Sequence, residues 1–283
     1  GHERDFLVRR IHTRLGNLGI RDPRVYLQLI EADPEEPERF LEFLSVNYTR
    51  FYRDPNKFRL LKDRIFPELI QARKDRKLRV WSAGCAGGEE PYSLAIILCD
   101  VLHNHKHNPK EWDIVIYATD INRQLLEKAR RGVYHQDQLS LDYVSFHHLT
   151  RYFDYSDGKY VVKPEVKELI RFEQANLLQD DYPQDLDIIF CRNVLIYMTA
   201  QATREVIGRF YHSLKDHGYL FLGNFETLDS SFYCHFDKHR FYGEYFYQKV
   251  PEGSELYHRK RLLFEKVHRG LLSPRDGSGR IEG

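Results

Sequence analysis

Two carboxylates directly follow a glycine-rich loop in this sequence. Residues 84–90 read Gly-Cys-Ala-Gly-Gly-Glu-Glu; a strand-like stretch at 78–82 precedes them, and Pro91 opens an apolar run. This order is typical of a strand, a loop and a helix N-terminus, which together bring bare backbone up to a ligand. A phosphate would meet Glu89 and Glu90, and the loop has no Gly-Lys-Ser/Thr to hold it. The pattern therefore favours a ligand with a positive end, such as S-adenosylmethionine with its α-amino group and sulfonium.

Asp120 is the next candidate ligand-binding residue. It follows a second apolar stretch, residues 112–118, which we predict to be a buried strand. An acid at the tip of the second strand of a nucleoside-binding sheet can accept both ribose hydroxyls. Asp120 could also be the N-cap of the helix predicted to begin near Arg123. Because the glycine loop lies one strand–helix unit earlier, we favour the ribose interpretation.

The segment 47–54, Asn-Tyr-Thr-Arg-Phe-Tyr-Arg-Asp, also combines hydrogen-bonding groups, aromatic rings and arginines. It could be a helix–helix joint capped by Thr49 or Asp54. It could instead be a polar ledge that closes over the ligand, with Arg53 as a fixed positive fork. The sequence of this segment leaves both interpretations open.

Polar residues follow two more predicted strands. Arg192, Asn193 and Tyr197 come after the apolar run 186–191. The carboxyl edge of a parallel sheet is where ligands bind in open α/β folds, so these side chains are expected to face the site. Alternatively, Asn193 ends the strand and Tyr197 packs as an ordinary aromatic residue. Likewise, Asn176 and Leu177 follow a predicted strand, where Asn176 could bond adenine or merely turn the chain.

The elements that must position these residues alternate between strand and helix. We predict strands at 78–82, 112–118, 168–173, 186–191, 218–223 and 241–248, and helices at 90–103, 122–131 and 200–214. This alternation is the α/β signature of a mostly parallel, doubly wound sheet.

The chain is predicted to divide into four parts. These are an N-terminal helical domain at 1–75, an α/β domain at 76–250, a small β insertion with a hairpin at about 134–165, and a C-terminal tail at 251–283. The tail could form a basic helix over 256–272. Its last residues resemble part of a protease-recognition site added by an expression vector, and they are left out of the fold prediction.

The composition limits the class of function. The formal net charge of the 283 residues is +1, which gives no general argument for nucleic acid or for an anionic membrane. No apolar run approaches the roughly 20 residues of a membrane span. The four cysteines form no Cys-x-x-Cys pair, and no His/Cys cluster has zinc spacing. We therefore expect free thiols, no metal, no membrane insertion and a cytoplasmic location.

Taken together and in this order, the motifs resemble the CheR family, the S-adenosylmethionine-dependent chemoreceptor glutamate methyltransferases. The matching stretches are 47–54, 84–93, 118–122 (Ala-Thr-Asp-Ile-Asn), 129–134 (Ala-Arg-Arg-Gly-Val-Tyr) and 191–197 (Cys-Arg-Asn-Val-Leu-Ile-Tyr). The resemblance spans about residues 5–250. The sequence departs from the commoner Cys-Ser-Thr-Gly-Glu-Glu at Ala86 and Gly87, which removes two hydroxyl groups but no backbone contact.

The resemblance implies a Rossmann-like S-adenosylmethionine methyltransferase domain, an N-terminal helical domain and a small β-subdomain in the insertion. It implies that the cofactor is bound by Asn47, Thr49, Arg53, Gly84, Glu89, Asp120, Asn176, Leu177, Asn193 and Val194. Arg53 and Tyr197 are similar to the residues near the transferring methyl, and they are the expected catalytic residues. No metal is implied.

The resemblance also implies the reaction. A methyl group would pass from S-adenosylmethionine to the γ-carboxylate of receptor glutamates, giving methyl esters and S-adenosylhomocysteine, in chemotaxis adaptation or related signalling. A glutamate with a pKa of about 4.3 is already ionised at pH 7, so the reaction needs no general base. This agrees with the lack of a Ser/His/Asp or Cys/His arrangement in the sequence.

The expected partner is the cytoplasmic domain of chemoreceptors, through its methyl-accepting helices, with a receptor C-terminal peptide at the β-subdomain. A basic face could dock on these acidic helices; its candidate residues are Arg4, Arg9, Arg10, Arg14, Arg21 and Arg24. The same arginines could form a merely solvated face. We expect a monomer that binds no nucleic acid.

Two other function classes remain open. The first is a catalytically silent signalling module that binds S-adenosylmethionine or S-adenosylhomocysteine; the presence of Arg53, Glu89, Asp120 and Tyr197 argues against it. The second is a methyltransferase for nucleic acid or a small molecule. The near-neutral charge and the absence of an Asn-Pro-Pro-Tyr-like motif argue against that class.

Overall fold

The computed structural model describes residues 2–44, 49–139 and 146–268. The helices are α1 (His2–Asn17), α2 (Pro23–Ala32), α3 (Glu36–Leu44), α4 (Pro55–Leu60), α5 (Phe66–Ala72), α6 (Glu89–Asn104), α7 (Arg123–Arg131), α8 (Phe146–Tyr152), α9 (Pro164–Lys167), α10 (Ala200–Ser213) and α11 (Glu255–His268). The strands are β1 (Lys77–Ala83), β2 (Asp113–Asp120), β3 (Val133–Tyr134), β4 (Phe153–Ser156), β5 (Lys159–Val162), β6 (Ile170–Gln174), β7 (Leu186–Cys191), β8 (Leu214–Leu222), β9 (Phe236–Phe241) and β10 (Glu244–Lys249). A π-helical turn at Leu61–Ile65 joins α4 to α5.

A seven-stranded sheet in the order β6-β2-β1-β7-β8-β10-β9 forms the centre of the molecule. The pairs from β6 to β8 are parallel, whereas β10 runs antiparallel to both β8 and β9. β1 lies between β2 and β7. The chain after β1 first forms β2 and β6 on one side of it, and later forms β7 and β8 on the other side. Such a switch point opens a crevice at the carboxyl ends of the strands. The predicted α/β class with a mostly parallel, doubly wound sheet is confirmed.

Both faces of the sheet are covered, which explains why its strands are almost continuously apolar. Val80 points to a core shared with α4, α5 and α6. Its neighbour Trp81 points to the opposite face, as period-two alternation requires. There the Trp81 ring lies 4.8 Å from the ring of Tyr182 and 5.3 Å from that of Phe210 on α10. The central strands are thereby fixed between two packed layers.

Two antiparallel hairpins complete the sheets, one in the insertion and one at the edge of the central sheet. The predicted hairpin in the insertion is present: β4 and β5 pair antiparallel across Asp157 (φ 52°) and Gly158 (φ 75°), and β3 joins their sheet. The strand predicted at 241–248 is present in part, as β10, but the prediction missed its partner β9 and the turn between the two. The chain turns back between β9 and β10 at Tyr242 (φ 50°) and Gly243 (φ 81°). Two central residues with positive φ give the primed turn that matches strand twist.

The helical part of the chain precedes this sheet, and a helix follows it. Residues 51–54, in the segment predicted to be a helix–helix joint or a polar ledge, form a turn and bends between α3 and α4. The predicted basic helix at 256–272 is present as α11, up to His268. The division of the chain into domains stays a prediction.

The first three helices are joined by a buried carboxylate. Glu36 accepts hydrogen bonds from Arg14 (2.7 and 2.9 Å) and from the hydroxyl of Tyr26 (2.7 Å), and it is only 2% exposed. Burial opposes ionisation, but the bonds from Arg14 and Tyr26 outweigh it, so the pKa of Glu36 lies below its ordinary value. Arg14 is thus a partly buried residue committed to an ion pair with Glu36, and its assignment to an exposed basic face is wrong.

We expect Glu36→Ala to lower the free energy of unfolding by about 2 kcal/mol, because it leaves Arg14 and Tyr26 without their acceptor. The loss should be present at neutral pH and should shrink as the pH falls from about 4.3, the ordinary glutamate pKa of the unfolded chain, through the lower pKa of folded Glu36. Urea unfolding at several pH values measures both effects. Glu35→Ala is the matched control, since that side chain is 80% exposed; an equal loss in the control would contradict the assignment.

Candidate cofactor site

A cavity of about 320 Å³ opens at the switch point, at the carboxyl ends of β1, β2, β6 and β7. All predicted site residues except Asn47 and Glu89 line it: Thr49, Arg53, Gly84, Asp120, Asn176, Leu177, Asn193, Val194 and Tyr197. Asn47 lies outside the described residues. The cavity therefore brings together segments that are far apart in the sequence.

The glycine loop stays hydrogen-bonded to β2 directly after β1 ends. The N–H groups of Gly84 and Cys85 both donate to the carbonyl of Thr119, at 2.8 and 2.9 Å. Gly84 has a φ of +84°, and a Cβ atom on it would lie 2.3 Å from Cγ2 of Val194. Only glycine allows the loop after β1 to approach the loop after β7 this closely.

Asp120 belongs to the wall of the cavity and is not a helix cap. One of its carboxylate oxygens accepts the N–H of Ala86 in the glycine loop (2.8 Å), and the other accepts that of Asn122 (2.9 Å). The N-cap of α7 is Asn122, whose side chain accepts the N–H of Leu125. Burial raises the pKa of Asp120, while these backbone donors favour its charged form. Each oxygen keeps a lone pair that a ribose hydroxyl can use.

The structure does not bring Glu89 to the cavity. Its carboxylate is fully buried behind the glycine loop and accepts a hydrogen bond from Gln138 (2.7 Å), with the Lys128 ammonium 3.9 Å away. Burial raises the pKa of Glu89. Glu90, one residue later, lines the cavity instead. Successive helical residues point about 100° apart, so only one of the two can face the ligand.

Glu90 is held by Ser82 and Arg192. The Ser82 hydroxyl donates to one carboxylate oxygen (2.7 Å), and the Arg192 guanidinium donates to the other (3.0 Å). Burial raises the pKa of Glu90, whereas Arg192, Ser82 and Arg53 favour its ionised form. The result is an acidic group on the wall whose orientation is fixed from two sides.

Arg192 links the glycine-loop helix to the segment that precedes α4. Besides Glu90, its guanidinium donates to the carbonyl of Arg53 (2.8 Å) and to the carboxylate of Asp54. Asp54 stands at the N-cap position of α4, as one of the two interpretations expected, but its side chain makes no cap bond to the helix. Arg192 is 6% exposed. The sheet-edge argument placed it at the site, but its bridging role depends on contacts that the sequence does not show.

The loop after β7 supplies the opposite wall. Asn193 adopts a φ of 60°, and a 3-10 turn at Leu195–Tyr197 follows it. Tyr197 is 47% exposed at the edge of the cavity. A carboxylate that the sequence analysis missed, Glu226, accepts backbone hydrogen bonds from this loop.

Other chemistries receive no support from the described residues. Cys85 is among the residues that line the cavity, but burial and the nearby Asp120 raise the pKa of its thiol well above the ordinary value, which disfavours the thiolate form. Within residues 2–44, 49–139 and 146–268 there is no cluster of three or more metal-ligating side chains. In the same ranges no helix is both long enough and apolar enough to span a bilayer.

The family profile described as "CheR methyltransferase, SAM binding domain" matches residues 47–241. The chain belongs to the CheR family. It is 36% identical over 242 residues to the chemotaxis protein methyltransferase of Escherichia coli, covering 82% of this chain and 80% of that protein. It is 35% identical to chemotaxis protein methyltransferase 1 of Pseudomonas aeruginosa, covering 81% and 85%. The likeness to chemotaxis protein methyltransferase Cher2 of Pseudomonas putida is similar, at 34% identity over 81% and 84% of the two chains.

Likeness to solved structures is more remote. The magnesium protoporphyrin IX methyltransferase of Synechocystis, solved with bound S-adenosylmethionine, is 16% identical, with a TM-score of 0.34 over 66% of this chain and 76% of that chain.

Gly84→Ala should leave a folded protein that binds S-adenosylhomocysteine at least tenfold more weakly, because the new methyl group collides with Val194. Calorimetric titration measures the affinity, and a thermal melt monitors the fold. Gly158→Ala is the control: it carries a comparable positive φ (+75°), but its Cβ meets nothing within 4 Å. Equal affinity in both variants would show that the close approach of the two loops is not needed for binding.

Proposed function

We propose that this CheR-family protein transfers the methyl group of S-adenosylmethionine to the γ-carboxylate of glutamate residues on chemoreceptors, leaving methyl esters. The observation that carries the proposal is that Asp120, the glycine loop, Arg53 and Tyr197 line one cavity at the switch point. The relatives named above as chemotaxis protein methyltransferases support the same reaction and the same class of substrate.

The residues of the cavity fit the chemical groups of S-adenosylmethionine. Asp120 would accept the ribose hydroxyls, and Asn176 with Leu177 would border the adenine. Glu90, rather than the predicted Glu89, offers the carboxylate for the α-amino group, because only Glu90 lines the wall. Arg53 supplies a positive fork for a carboxylate of the cofactor or of the substrate. S-adenosylmethionine, when bound, supplies an electrophilic methyl group on its sulfonium.

The acceptor needs to be oriented rather than activated. A glutamate carboxylate is ionised at neutral pH and attacks the methyl carbon directly, so no proton has to be removed. The lining residues that the structure describes include no histidine that would act as a base. Arg53 would orient a carboxylate, and Tyr197 at the mouth would shape the surroundings of the methyl group. Correct placement of nucleophile and methyl can contribute several kcal/mol to the reduction of the barrier.

The cofactor assignment is tested by titrating S-adenosylhomocysteine into the intact protein and into Asp120→Ala. We expect low-micromolar or tighter binding to the parent and a loss of at least a hundredfold in the variant, since two ribose hydrogen bonds to a charged acceptor disappear. Asp113→Ala is the matched control, because Asp113 begins the same strand but lies exposed at its other end. Absence of binding to the folded parent would overturn the cofactor assignment.

The substrate class is tested with a chemoreceptor cytoplasmic fragment and S-adenosylmethionine labelled in its methyl group. Transferred label should be released as volatile methanol by mild base, because a carboxyl methyl ester is hydrolysed there and an N-methyl group is not. Replacing the accepting glutamates by alanine should abolish labelling. Base-stable label would exclude glutamate as the acceptor.

Arg53→Ala should lower kcat at least a hundredfold in that assay while the protein stays folded, since the acceptor loses its orienting charge. Arg59→Ala removes an exposed arginine outside the cavity and should retain the parent rate. Near-normal turnover in Arg53→Ala would remove Arg53 from the mechanism. A parent protein that binds S-adenosylhomocysteine but labels no receptor fragment would favour the alternative, a silent signalling module.

A further inference from the structure

One buried carboxylate, that of Glu226, accepts hydrogen bonds from the backbone of the loop that follows β7. One oxygen of Glu226 accepts the N–H groups of Val194 (2.9 Å) and Leu195 (2.8 Å), with that of Ile196 at 3.3 Å. The other oxygen accepts the N–H groups of Asn193 (2.9 Å) and Gly223 (2.6 Å). Glu226 is 7% exposed. No hydroxyl or amide side chain could accept this many donors at once.

The loop needs such an acceptor because it has no strand or long helix to satisfy its backbone. Asn193 adopts the left-handed region (φ 60°), which asparagine tolerates better than other residues with a side chain but which does not continue a strand or a helix. A buried N–H group without an acceptor costs about 1–3 kcal/mol. Four successive N–H groups, from Asn193 to Ile196, depend on Glu226. The conformation of this segment is therefore determined by a side chain that lies about thirty residues downstream.

The sheet brings Glu226 to this position. β7 and β8 are parallel, and Cys191 at the end of β7 is opposite Leu222 at the end of β8. Gly223 then begins a tight turn in which the N–H of Glu226 donates to the Gly223 carbonyl (3.0 Å). A Cβ atom on Gly223 would lie 2.6 Å from the Glu226 carboxylate and 3.0 Å from the amide nitrogen of Asn193. The two loops are thus in direct contact.

We propose that Glu226 is a positioning residue for the cofactor site: it fixes the loop that presents Asn193, Val194 and Tyr197 to the cavity, and so sets the affinity for cofactor. Glu226 itself is not among the residues that line the cavity. The inference rests on the proposed cofactor function for its effect on affinity, but its effect on the loop can be measured without a ligand.

The decisive variant is Glu226→Gln, which keeps the size of the side chain and replaces one acceptor oxygen by a donor. We expect at least tenfold weaker binding of S-adenosylhomocysteine, and faster amide hydrogen exchange in a peptide that covers residues 193–197. Asp187→Asn is the matched control. Asp187 is also a fully buried carboxylate, which accepts the N–H of Arg79 and pairs with Lys215, but it lies near the amino end of β7, away from the cavity.

A second pair of variants tests the same contact without changing a charge. Gly223→Ala pushes a methyl group against the Glu226 carboxylate and should reproduce both effects. Gly208→Ala places its methyl group in open space on α10 and should change neither. This pair keeps the test possible if Glu226→Gln does not fold.

The outcomes separate positioning from a purely structural role. A structural role would lower the melting temperature in Glu226→Gln and in Asp187→Asn alike and leave both affinities within twofold of the parent; that result overturns the proposal. Weak binding and fast exchange in Glu226→Gln, with parent-like values in Asp187→Asn, support it. If the parent protein binds no S-adenosylhomocysteine, the proposed function fails, and amide hydrogen exchange alone tests the positioning role. Unchanged protection at 193–196 in Glu226→Gln then overturns that role, and lost protection supports it.

Discussion

The parallel pairing of β1 with both β2 and β7 is the constraint on which the rest of the site depends. Because β1 has partners on both sides, the loops after the three strands leave the same edge of the sheet and open a crevice there. The bonds from Gly84 and Cys85 to the Thr119 carbonyl extend this pairing into the glycine loop. Asp120, bonded to Ala86, then cannot separate from that loop. The position of the cavity thus follows from strand order.

Two buried charges fix the loops that strand order alone leaves undetermined. On one side of the cavity, Arg192 donates hydrogen bonds to the carboxylates of Glu90 and Asp54 and to the carbonyl of Arg53. On the other side, Glu226 accepts hydrogen bonds from the backbone N–H groups of residues 193–195 and of Gly223. A buried charge is costly unless its bonding capacity is filled, and a filled network favours one arrangement over its alternatives. These two networks determine loop geometry in segments where hydrophobic packing has little to act on.

The sequence predicts those parts of the molecule whose signals are local. The apolar runs of β1, β2 and β7 and the residues directly after them, such as Gly84 and Asp120, form patterns within a few positions. The local sequence does not show whether Glu89 or Glu90 faces the cavity, because this depends on where α6 starts relative to the sheet. Glu226 has no local signal at all, since every N–H it accepts except that of Gly223 lies about thirty residues earlier.

Two other errors have separate physical reasons. The turn at Tyr242 and Gly243 was missed because it lacks the Asn-Gly or Asp-Gly pair that marks most primed turns, whereas Asp157 and Gly158 carry that mark. Arg14 was placed on an exposed face because its buried partner, Glu36, lies on another helix. For Arg14, a contact between helices decided what the local sequence left open.

The proposed reaction explains why a cavity whose walls are held by hydrogen bonds is an advantage. A carboxylate that is already ionised gains nothing from a general base, so orientation and removal of water become important means of lowering its barrier. Orientation requires walls that do not move between one encounter and the next. Arg192 fixes the backbone of Arg53 on one wall, and Glu226 fixes the backbone around Asn193 on the other. For this chemistry, the buried networks that hold the loops take the place that an acid–base pair has in other transferases.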